Sequence, residues 1–204
     1  MRSNLYSKFF KHLMDKILAF ISLIAFSPIL LVSALFIKLE DGDNIFFKQI
    51  RVGRDFKLFN LFKFRTMSNK INGSSITQSN DIRITKTGRV LRKLKIDELP
   101  QLFNILLGQM SIVGPRPELE KYINHYMEDY KTILNVKPGL SDFASIKYRN
   151  EEQILARYEN LEEAYLNIVL PDKINLNKQY VNSISFKTDL KIIYQTIRSV
   201  FNVT

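Results

Sequence analysis

Two adjacent carboxylates, Asp97 and Glu98, stand in a basic part of the chain and could serve acid–base, nucleophilic or metal chemistry. They belong to the stretch KIDELPQLFNILLGQMSIVGPRPE, residues 95–118. Neighbouring side chains of a helix point about 100° apart, so the two carboxylates converge only where the backbone is still turning, at a helix N-terminus. There the helix dipole and the unpaired N–H groups favour negative charge. Simple capping of a helix is the alternative interpretation of the pair.

Basic side chains flank this pair along the sequence, at Lys63, Arg65, Arg92 and Arg116. Arg116 lies between Pro115 and Pro117, whose fixed φ angles predict a stiff loop, although a plain structural turn has the same pattern. Guanidinium groups suit bidentate phosphate binding, and Mg²⁺ favours carboxylate oxygens together with substrate phosphates. The pattern therefore indicates a Mg²⁺–phosphate site for phosphoryl transfer, in which a carboxylate can itself attack phosphorus.

The composition narrows the chemistry further. The 204 residues contain no cysteine and two histidines, His12 and His125, which excludes disulfides and thiolate metal sites within this sequence. It also argues against Ser-His-Asp and Cys-His catalysis and against most zinc sites. The net charge of +10 suits nucleic acid, an anionic membrane surface or a phosphate-rich substrate, and a merely solvated basic surface is the alternative.

An uncharged apolar segment, residues 17–37, predicts insertion into a membrane. A straight helix of this length measures about 31 Å, enough to cross the hydrocarbon core. Ser27 and Pro28 lie at its centre, where proline predicts a bend and the serine hydroxyl can satisfy a freed carbonyl. Basic residues occur on both flanks, so the positive-inside rule has no asymmetry to act on. A hairpin that enters and leaves by one face and an ordinary kinked spanning helix therefore fit equally well.

The rest of the chain predicts a mostly helical α+β domain, with one clear boundary near residue 39 between a membrane segment (1–39) and a catalytic domain (40–204). Two strands, 45–51 and 56–63, would form a hairpin around Gly53 and Arg54. A polar loop is expected at 68–83. Helices are expected at 87–94, from Asp97 towards Gly108, and at 117–134, 150–168, 172–183 and 185–202, the last of them amphipathic.

The sequence resembles a known family, the monotopic phosphoglycosyl transferases, which are bacterial sugar transferases. The resemblance runs nearly from end to end. It rests on Ser27-Pro28, FFKQIRVG (46–53), FKFRTM (62–67), LRKLKIDELPQLFNILLGQMSIVGPRPE (91–118), VKPGL (136–140) and TDLKII (188–193).

The resemblance implies a reaction and a location. Such enzymes move a sugar-1-phosphate from a UDP-sugar to polyprenyl phosphate, usually undecaprenyl phosphate, and release UMP, which initiates surface glycan assembly. Carried over to this sequence, Asp97 is the nucleophile that carries the phosphosugar, and Glu98 beside it helps to hold Mg²⁺. The resemblance places Lys63, Arg92 and Arg116 at the phosphates. It also implies that Ser27-Pro28 breaks a re-entrant helix, with the protein on the cytosolic face of the bacterial inner membrane.

One region departs from the family's pattern. Many members read approximately PGITGxAQVxGRN where this chain has PGLSDFASIKYRN, residues 138–150. Arg149 and Asn150 are kept, so Arg149 is expected to face the phosphates. Asp142, Lys147 and Tyr148 replace small residues or differ from the pattern, so the identity of the sugar does not transfer. The acidic segment 150–166 also lies outside the pattern.

Two other functions are weighed against a transferase. A membrane-anchored basic binding module explains the charge and the apolar segment, but not the acidic pair or the stiff Arg116 loop, and the sequence carries no nucleic-acid-binding motif. An inactive scaffold of the same fold explains all of them, because a fold does not guarantee activity. A homodimer is compatible with the sequence and is not required by it.

Overall fold

The computed structural model describes Tyr6, residues 10–68 and residues 81–201, and it confirms a mostly helical α+β architecture. Most of the predicted loop at 68–83, residues 69–80, lies outside the described residues. The helices are α1 (Lys11–Asp41), α2 (Lys86–Lys93), α3 (Gln101–Leu106), α4 (Glu120–His125), α5 (Met127–Ile133), α6 (Phe143–Lys147), α7 (Glu151–Leu155), α8 (Leu161–Ala164), α9 (Leu170–Asn182) and α10 (Phe186–Phe201). The strands are β1 (Phe46–Val52), β2 (Leu58–Phe64), β3 (Ser111–Val113) and β4 (Gly139–Ser141).

Helix α1 contains the predicted membrane segment, and its stretch Lys11–Glu40 is long and apolar enough to cross a membrane. Helix α1 continues through Pro28, so the structure shows no interruption of the helix at Ser27-Pro28, and the predicted re-entrant hairpin stays a prediction. Proline has no N–H for the carbonyl four residues earlier, which here belongs to Ile24. The Ser27 hydroxyl donates to that carbonyl at 2.8 Å, so the predicted compensation at the Ser27-Pro28 pair is confirmed.

Both ends of α1 are bonded to the rest of the protein. Near its start, Asp15 accepts a hydrogen bond from the Ser111 hydroxyl at 2.6 Å. Near its end, the Glu40 carboxylate accepts from the backbone N–H groups of Lys86 at 2.7 Å and Thr87 at 3.1 Å. These two groups begin α2 and therefore have no partner within that helix. One domain therefore holds the helix at two places that are separated by 25 residues.

Helix α1 also contributes to the core of the protein. Ala19 is fully buried in a cluster with Phe59 and Leu102, and Ile37 is buried in a second cluster with Phe64. Its other side chains leave a long apolar surface exposed, which includes Phe20, Ile21, Ile24, Leu31, Val32, Leu35, Phe36 and Leu39. An apolar surface of this extent marks a contact with membrane or protein.

Strands β1 and β2 form the predicted antiparallel hairpin, displaced by one or two residues from the predicted bounds. Phe46 lies opposite Phe64, and Val52 lies opposite Leu58. The connection begins at Gly53 as expected, and Asp55 and Phe56 adopt positive φ angles of 55° and 59°. Strand β2 passes over α3 and carries the side chain of Lys63 towards the turn that contains Glu98.

A second, parallel pair of strands was not predicted, because three residues are too few for a period-two pattern to emerge. Strands β3 and β4 align Ser111 with Gly139 and Val113 with Ser141. Directly after β3, Gly114 crosses Gly139 so closely that a Cβ on Gly139 would lie 2.1 Å from the Gly114 nitrogen. This close crossing requires glycine and fixes the start of the loop that contains Arg116.

Three predicted helical regions differ in detail from the structure. The single helix expected at 117–134 is wrong, because the chain turns at Tyr126 and divides into α4 and α5. The helix expected at 150–168 is likewise divided, into α7, α8 and a π-helical segment, Tyr165–Val169. The helix expected at 172–183 begins slightly earlier, as α9.

Helix α10 confirms the amphipathic prediction for residues 185–202. It buries Asp189 and Ile192 against the domain. Its opposite face exposes large apolar side chains at helical spacing, namely Phe186, Leu190, Tyr194 and Ile197. Lys11 of α1 and Asp189 of α10 form a buried ion pair at 2.5 Å, so the two apolar helices are joined directly.

Candidate active site

The two adjacent carboxylates lie in a 3-10 turn, Ile96–Glu98, between α2 and α3. Lys95 enters the turn with a left-handed φ of 57°, and Pro100 follows it as the residue before α3. The chain thus turns sharply on both sides of the pair. The prediction that the pair lies where a helix begins is confirmed, with the pair one turn ahead of α3.

Glu98 is the acceptor at the centre of a cationic cluster. Arg116 donates to its two carboxylate oxygens at 3.1 and 2.5 Å, and Lys63 donates to one of them at 3.1 Å. Burial by itself would raise the pKa of Glu98, but the charges of Arg116 and Lys63 outweigh it and hold that pKa well below its usual range. Glu98 is therefore ionised, and two predicted phosphate-binding cations are held beside the acidic pair.

Asp97 has a different environment. Its side chain is 8% exposed, and its Oδ1 is buried without a hydrogen-bond partner among the described residues. Burial and the neighbouring charge of Glu98 raise the pKa of Asp97, although Lys63, Lys95 and Arg92 act in the opposite direction. This oxygen therefore keeps lone pairs that no described protein group engages.

Asp142 holds the Arg116 loop in place and was not recognised from the sequence as part of the site. It is fully buried. One of its oxygens accepts from the Arg116 backbone N–H at 3.0 Å, and the other accepts from the Ser145 backbone N–H at 2.6 Å, which caps α6. The capping role could have been predicted, because Asp142 directly precedes α6 and aspartate is a usual N-cap residue. Its contact with the Arg116 backbone is visible only in the tertiary structure.

A cavity of about 1640 Å³ brings the predicted site residues together. Its walls include all six of them, Lys63, Arg92, Asp97, Glu98, Arg116 and Arg149. Arg92 also forms an ion pair with Glu152 of α7, so the acidic segment that departs from the family's pattern reaches this site.

Apolar residues of α1 and α10 form another part of the cavity wall. Phe26 and Ile29, on either side of Ser27-Pro28, border it, as do Ile193 and Ile197 of α10. The Ser27-Pro28 pair of α1 therefore lies near the charged site. One cavity combines ionic groups that suit phosphates with a hydrocarbon surface that suits a lipid chain.

The donor set at Asp97 and Glu98 fits a magnesium ion that is completed by substrate. Within the described part of the chain, no three side chains of the types His, Cys, Asp or Glu lie close enough to hold a metal by themselves. Mg²⁺ commonly takes one or two protein carboxylates and fills its octahedral shell with phosphate oxygens and water. Asp97 offers the unpartnered Oδ1, and Glu98 would contribute the remaining lone pairs of oxygens that already accept from Arg116 and Lys63.

Residues 6–203, nearly the full length of the sequence, match the bacterial sugar transferase family. The chain belongs to this family. Among sugar transferases of similar sequence, the uncharacterized sugar transferase EpsL of Bacillus subtilis is 40% identical over 190 residues, which cover 93% of this chain and 86% of EpsL.

Two longer relatives carry names that specify a reaction. A UDP-N-acetylgalactosamine-undecaprenyl-phosphate N-acetylgalactosaminephosphotransferase of Aeromonas hydrophila is 35% identical over 94% of this chain. A UDP-glucose:undecaprenyl-phosphate glucose-1-phosphate transferase of Klebsiella pneumoniae is 38% identical over 92% of it. The chain spans 44% and 39% of these two sugar transferases, respectively, so it corresponds to less than half of each.

Proposed function

We propose that this sugar transferase moves a sugar-1-phosphate from a UDP-sugar to undecaprenyl phosphate, or to a similar polyprenyl phosphate, and releases UMP. The names of the longer relatives support the donor and acceptor classes. The observation that carries the proposal is the cavity itself. Its wall joins the carboxylate–cation cluster to the apolar residues that flank Ser27-Pro28, so a soluble nucleotide and a lipid phosphate can meet in it.

Asp97 is the proposed nucleophile. In the first step its carboxylate oxygen bonds to the β-phosphorus of the donor, the bond from that phosphorus to the bridging oxygen breaks, and UMP leaves with the electron pair. In the second step a phosphate oxygen of the lipid attacks the same phosphorus, and Asp97 leaves as a free carboxylate. The buried Oδ1 supports this role, because no protein hydrogen bond has to be broken before it attacks.

The surrounding groups stabilise the charge that moves during these steps. Arg116 and Lys63 are already assembled around Glu98, so the site is organised before the diphosphate binds. Arg92 and Arg149 border the same cavity and are proposed to bind phosphate oxygens. Mg²⁺ bound by Asp97, Glu98 and the diphosphate would neutralise phosphate charge and lower the pKa of Asp97.

The attachment of α1 supports a re-entrant topology on the cytosolic face of the inner membrane. A helix that spans the bilayer separates its two ends by the hydrocarbon thickness, roughly 30 Å. Asp15 and Glu40, near opposite ends of α1, both accept hydrogen bonds from the same domain. A domain on one side of the membrane keeps both contacts only if α1 enters and leaves by that side.

A transfer assay tests the proposal. Full-length protein in detergent is incubated with Mg²⁺, undecaprenyl phosphate and a panel of UDP-sugars that are radiolabelled in the sugar. We expect labelled lipid and an equal amount of UMP from the wild type, and neither product from Asp97→Asn. Asp129→Asn is the matched control, because Asp129 forms an ion pair with Lys178 and does not border the cavity.

The same assay separates the transferase from the other two functions. Undiminished lipid product in Asp97→Asn would remove the assignment of the nucleophile while keeping the reaction. If the wild type forms no lipid product with any donor, the result favours an inactive scaffold or a binding module.

A further inference from the structure

The part of the cavity wall that contains Tyr122, Tyr130, Ser145 and Asn177, here called the inner end, carries buried polar groups that the reaction described above does not use. Tyr122, Tyr130 and Asn177 are between 1% and 4% exposed, and all three border the cavity. Within the described part of the chain, the hydroxyls of both tyrosines and the side-chain oxygen of Asn177 have no hydrogen-bond partner. A buried polar atom without a partner costs about 1–3 kcal/mol, so an accumulation of three on one wall points to a ligand that satisfies them.

The inner end adjoins the carboxylate site through the Arg116 loop. Two residues beyond Arg116, the buried Glu118 accepts a hydrogen bond from the Tyr165 hydroxyl at 2.6 Å, and Tyr165 packs on Tyr122 with ring centroids 4.8 Å apart. Ser145 borders the cavity as well, and its backbone shares Asp142 with the Arg116 backbone. Its hydroxyl is the fourth unpartnered group of this wall among the described residues.

The charges at the inner end compensate one another. Glu118 pairs with Arg51 at 3.5 Å, and Glu151 pairs with Lys173, which gives two acids and two bases with no net charge. Burial, followed by the negative charges of Glu118 and Asp142, raises the pKa of Tyr130 well above its usual range. Its hydroxyl therefore stays protonated and can both donate and accept.

We propose that this wall, formed by Tyr122, Tyr130, Ser145 and Asn177, is the subsite for the sugar of the donor, and that it selects uncharged sugars. The inference rests on the proposed function, which supplies a nucleoside diphosphate with a sugar on its β-phosphate. A sugar presents several hydroxyls in a small volume, and each can pair with one of the unpartnered groups. Tyrosine rings add apolar faces for the C–H groups of a sugar. A sugar carboxylate at this wall would be buried close to Glu118 and Glu151, whose partners Arg51 and Lys173 are already paired with them, which is unfavourable.

Equilibrium binding tests the subsite without turnover. All measurements use the full chain in detergent with Mg²⁺ and the Asp97→Asn background, so that no donor is consumed. The ligands are UDP, UDP-glucose, UDP-N-acetylgalactosamine and UDP-glucuronic acid. We expect at least one of the two uncharged sugar nucleotides to bind about tenfold or more tightly than UDP, and UDP-glucuronic acid to bind no more tightly than UDP.

Substitutions that remove single hydroxyl groups test which side chains bind the sugar. Tyr130→Phe and Ser145→Ala should weaken binding of the preferred UDP-sugar by about three- to tenfold each and leave binding of UDP unchanged. Tyr130→Phe should not lower the Tm, because the deleted hydroxyl has no partner in the protein. Tyr126→Phe is the matched control. Its hydroxyl donates to the Leu166 carbonyl at 2.9 Å, away from the cavity, so it should lower the Tm and leave the preference for the UDP-sugar intact.

Three outcomes would overturn the subsite. The first is that neither uncharged sugar nucleotide binds more tightly than UDP, in which case water satisfies the inner wall. The second is that the hydroxyl deletions weaken UDP and the UDP-sugar equally. The third, a gain for UDP-glucuronic acid equal to that of the uncharged sugars, removes the charge selection. Each differs from failure of the proposed function, which is the absence of lipid product in the transfer assay of the unsubstituted protein.

Discussion

Arg116 binds Glu98 through two guanidinium nitrogens, at 3.1 and 2.5 Å, and thereby places a fixed positive charge beside the adjacent Asp97. The structure around each of the two residues holds this contact in place. Glu98 is held by a 3-10 turn, and the Arg116 backbone is held by the buried Asp142. A phosphate that enters the site meets an arginine whose position is already determined, so little conformational entropy is lost on binding.

Glu98→Gln should destabilise the protein at neutral pH by about 3 kcal/mol, because it leaves Arg116 and Lys63 without their shared partner. The pKa of Glu98 lies below its unfolded value, so its stabilising contribution is present above a pH of about 4.3 and is lost as pH falls through the folded pKa. Thermal or denaturant unfolding at pH 7 and at pH 3 measures the effect. Glu162→Gln is the control, since its ion pair with Lys121 is about half exposed. Equal losses in both variants would contradict the burial argument.

Asp97→Asn should abolish transfer and yet stabilise the fold at neutral pH. The pKa of Asp97 is raised, so its favourable contribution is present below the unfolded value of about 3.9 and is lost as pH rises through the folded pKa. A neutral amide avoids that loss. We expect a Tm about 2–4 °C above wild type at pH 7.5, which corresponds to about 1 kcal/mol in a chain of this size. The difference should shrink towards pH 4, and a lower Tm at pH 7.5 would show that Asp97 is better stabilised than its burial indicates.

Asp142 should affect catalysis without touching the substrate. Asp142→Asn keeps the side-chain volume but weakens the two hydrogen bonds that hold Arg116 and Ser145. We expect kcat to fall about ten- to hundredfold, with KM for the UDP-sugar changed less, because displacement of a positioned charge affects the transition state most. Asp172→Asn is the control, since Asp172 bonds Lys147 and Tyr148 on a more exposed surface. Wild-type kcat in Asp142→Asn would contradict a positioning role.

The topology of α1 can be measured by labelling single introduced cysteines, because the natural chain has no cysteine. Single cysteines at Ser3 and at Asn44, one on each side of α1, should both react with a membrane-impermeant maleimide in inverted vesicles and not in intact spheroplasts. Reaction of the Ser3→Cys protein from the periplasmic side would contradict the re-entrant arrangement. Combined Ser27→Ala and Pro28→Leu substitutions remove the cause of the bend that the re-entrant arrangement requires, and we expect them to move one end of α1 across the bilayer.

The sequence was sufficient to predict features that depend on local pattern. The apolar run, the alternating residues of the β1–β2 hairpin and the amphipathic spacing of α10 each determine an element without knowledge of its neighbours. The sequence also predicted basic side chains around the acidic pair, and Lys63 and Arg116 do contact Glu98. Their predicted role in binding phosphates stays a prediction.

The features that the sequence did not predict depend on contacts between distant parts of the chain. Strands β3 and β4 are three residues long, and they pair beside the close crossing of Gly114 and Gly139. The pairing of Arg92 with Glu152 joins residues that are 60 positions apart, and no local pattern indicates it. The unpartnered hydroxyls of Tyr122 and Tyr130 are likewise invisible in sequence, where two tyrosines on helices α4 and α5 are typical core residues.

The burial of Ala19 and Ile37 in two clusters of the globular body has a practical consequence for purification. Truncating the chain after α1 to obtain a freely soluble fragment would uncover Phe59 and Leu102 in one cluster and Phe64 in the other. Helix α1 shares these clusters with the rest of the chain, so detergent or nanodisc preparations of the intact polypeptide are the material from which kinetics should be measured.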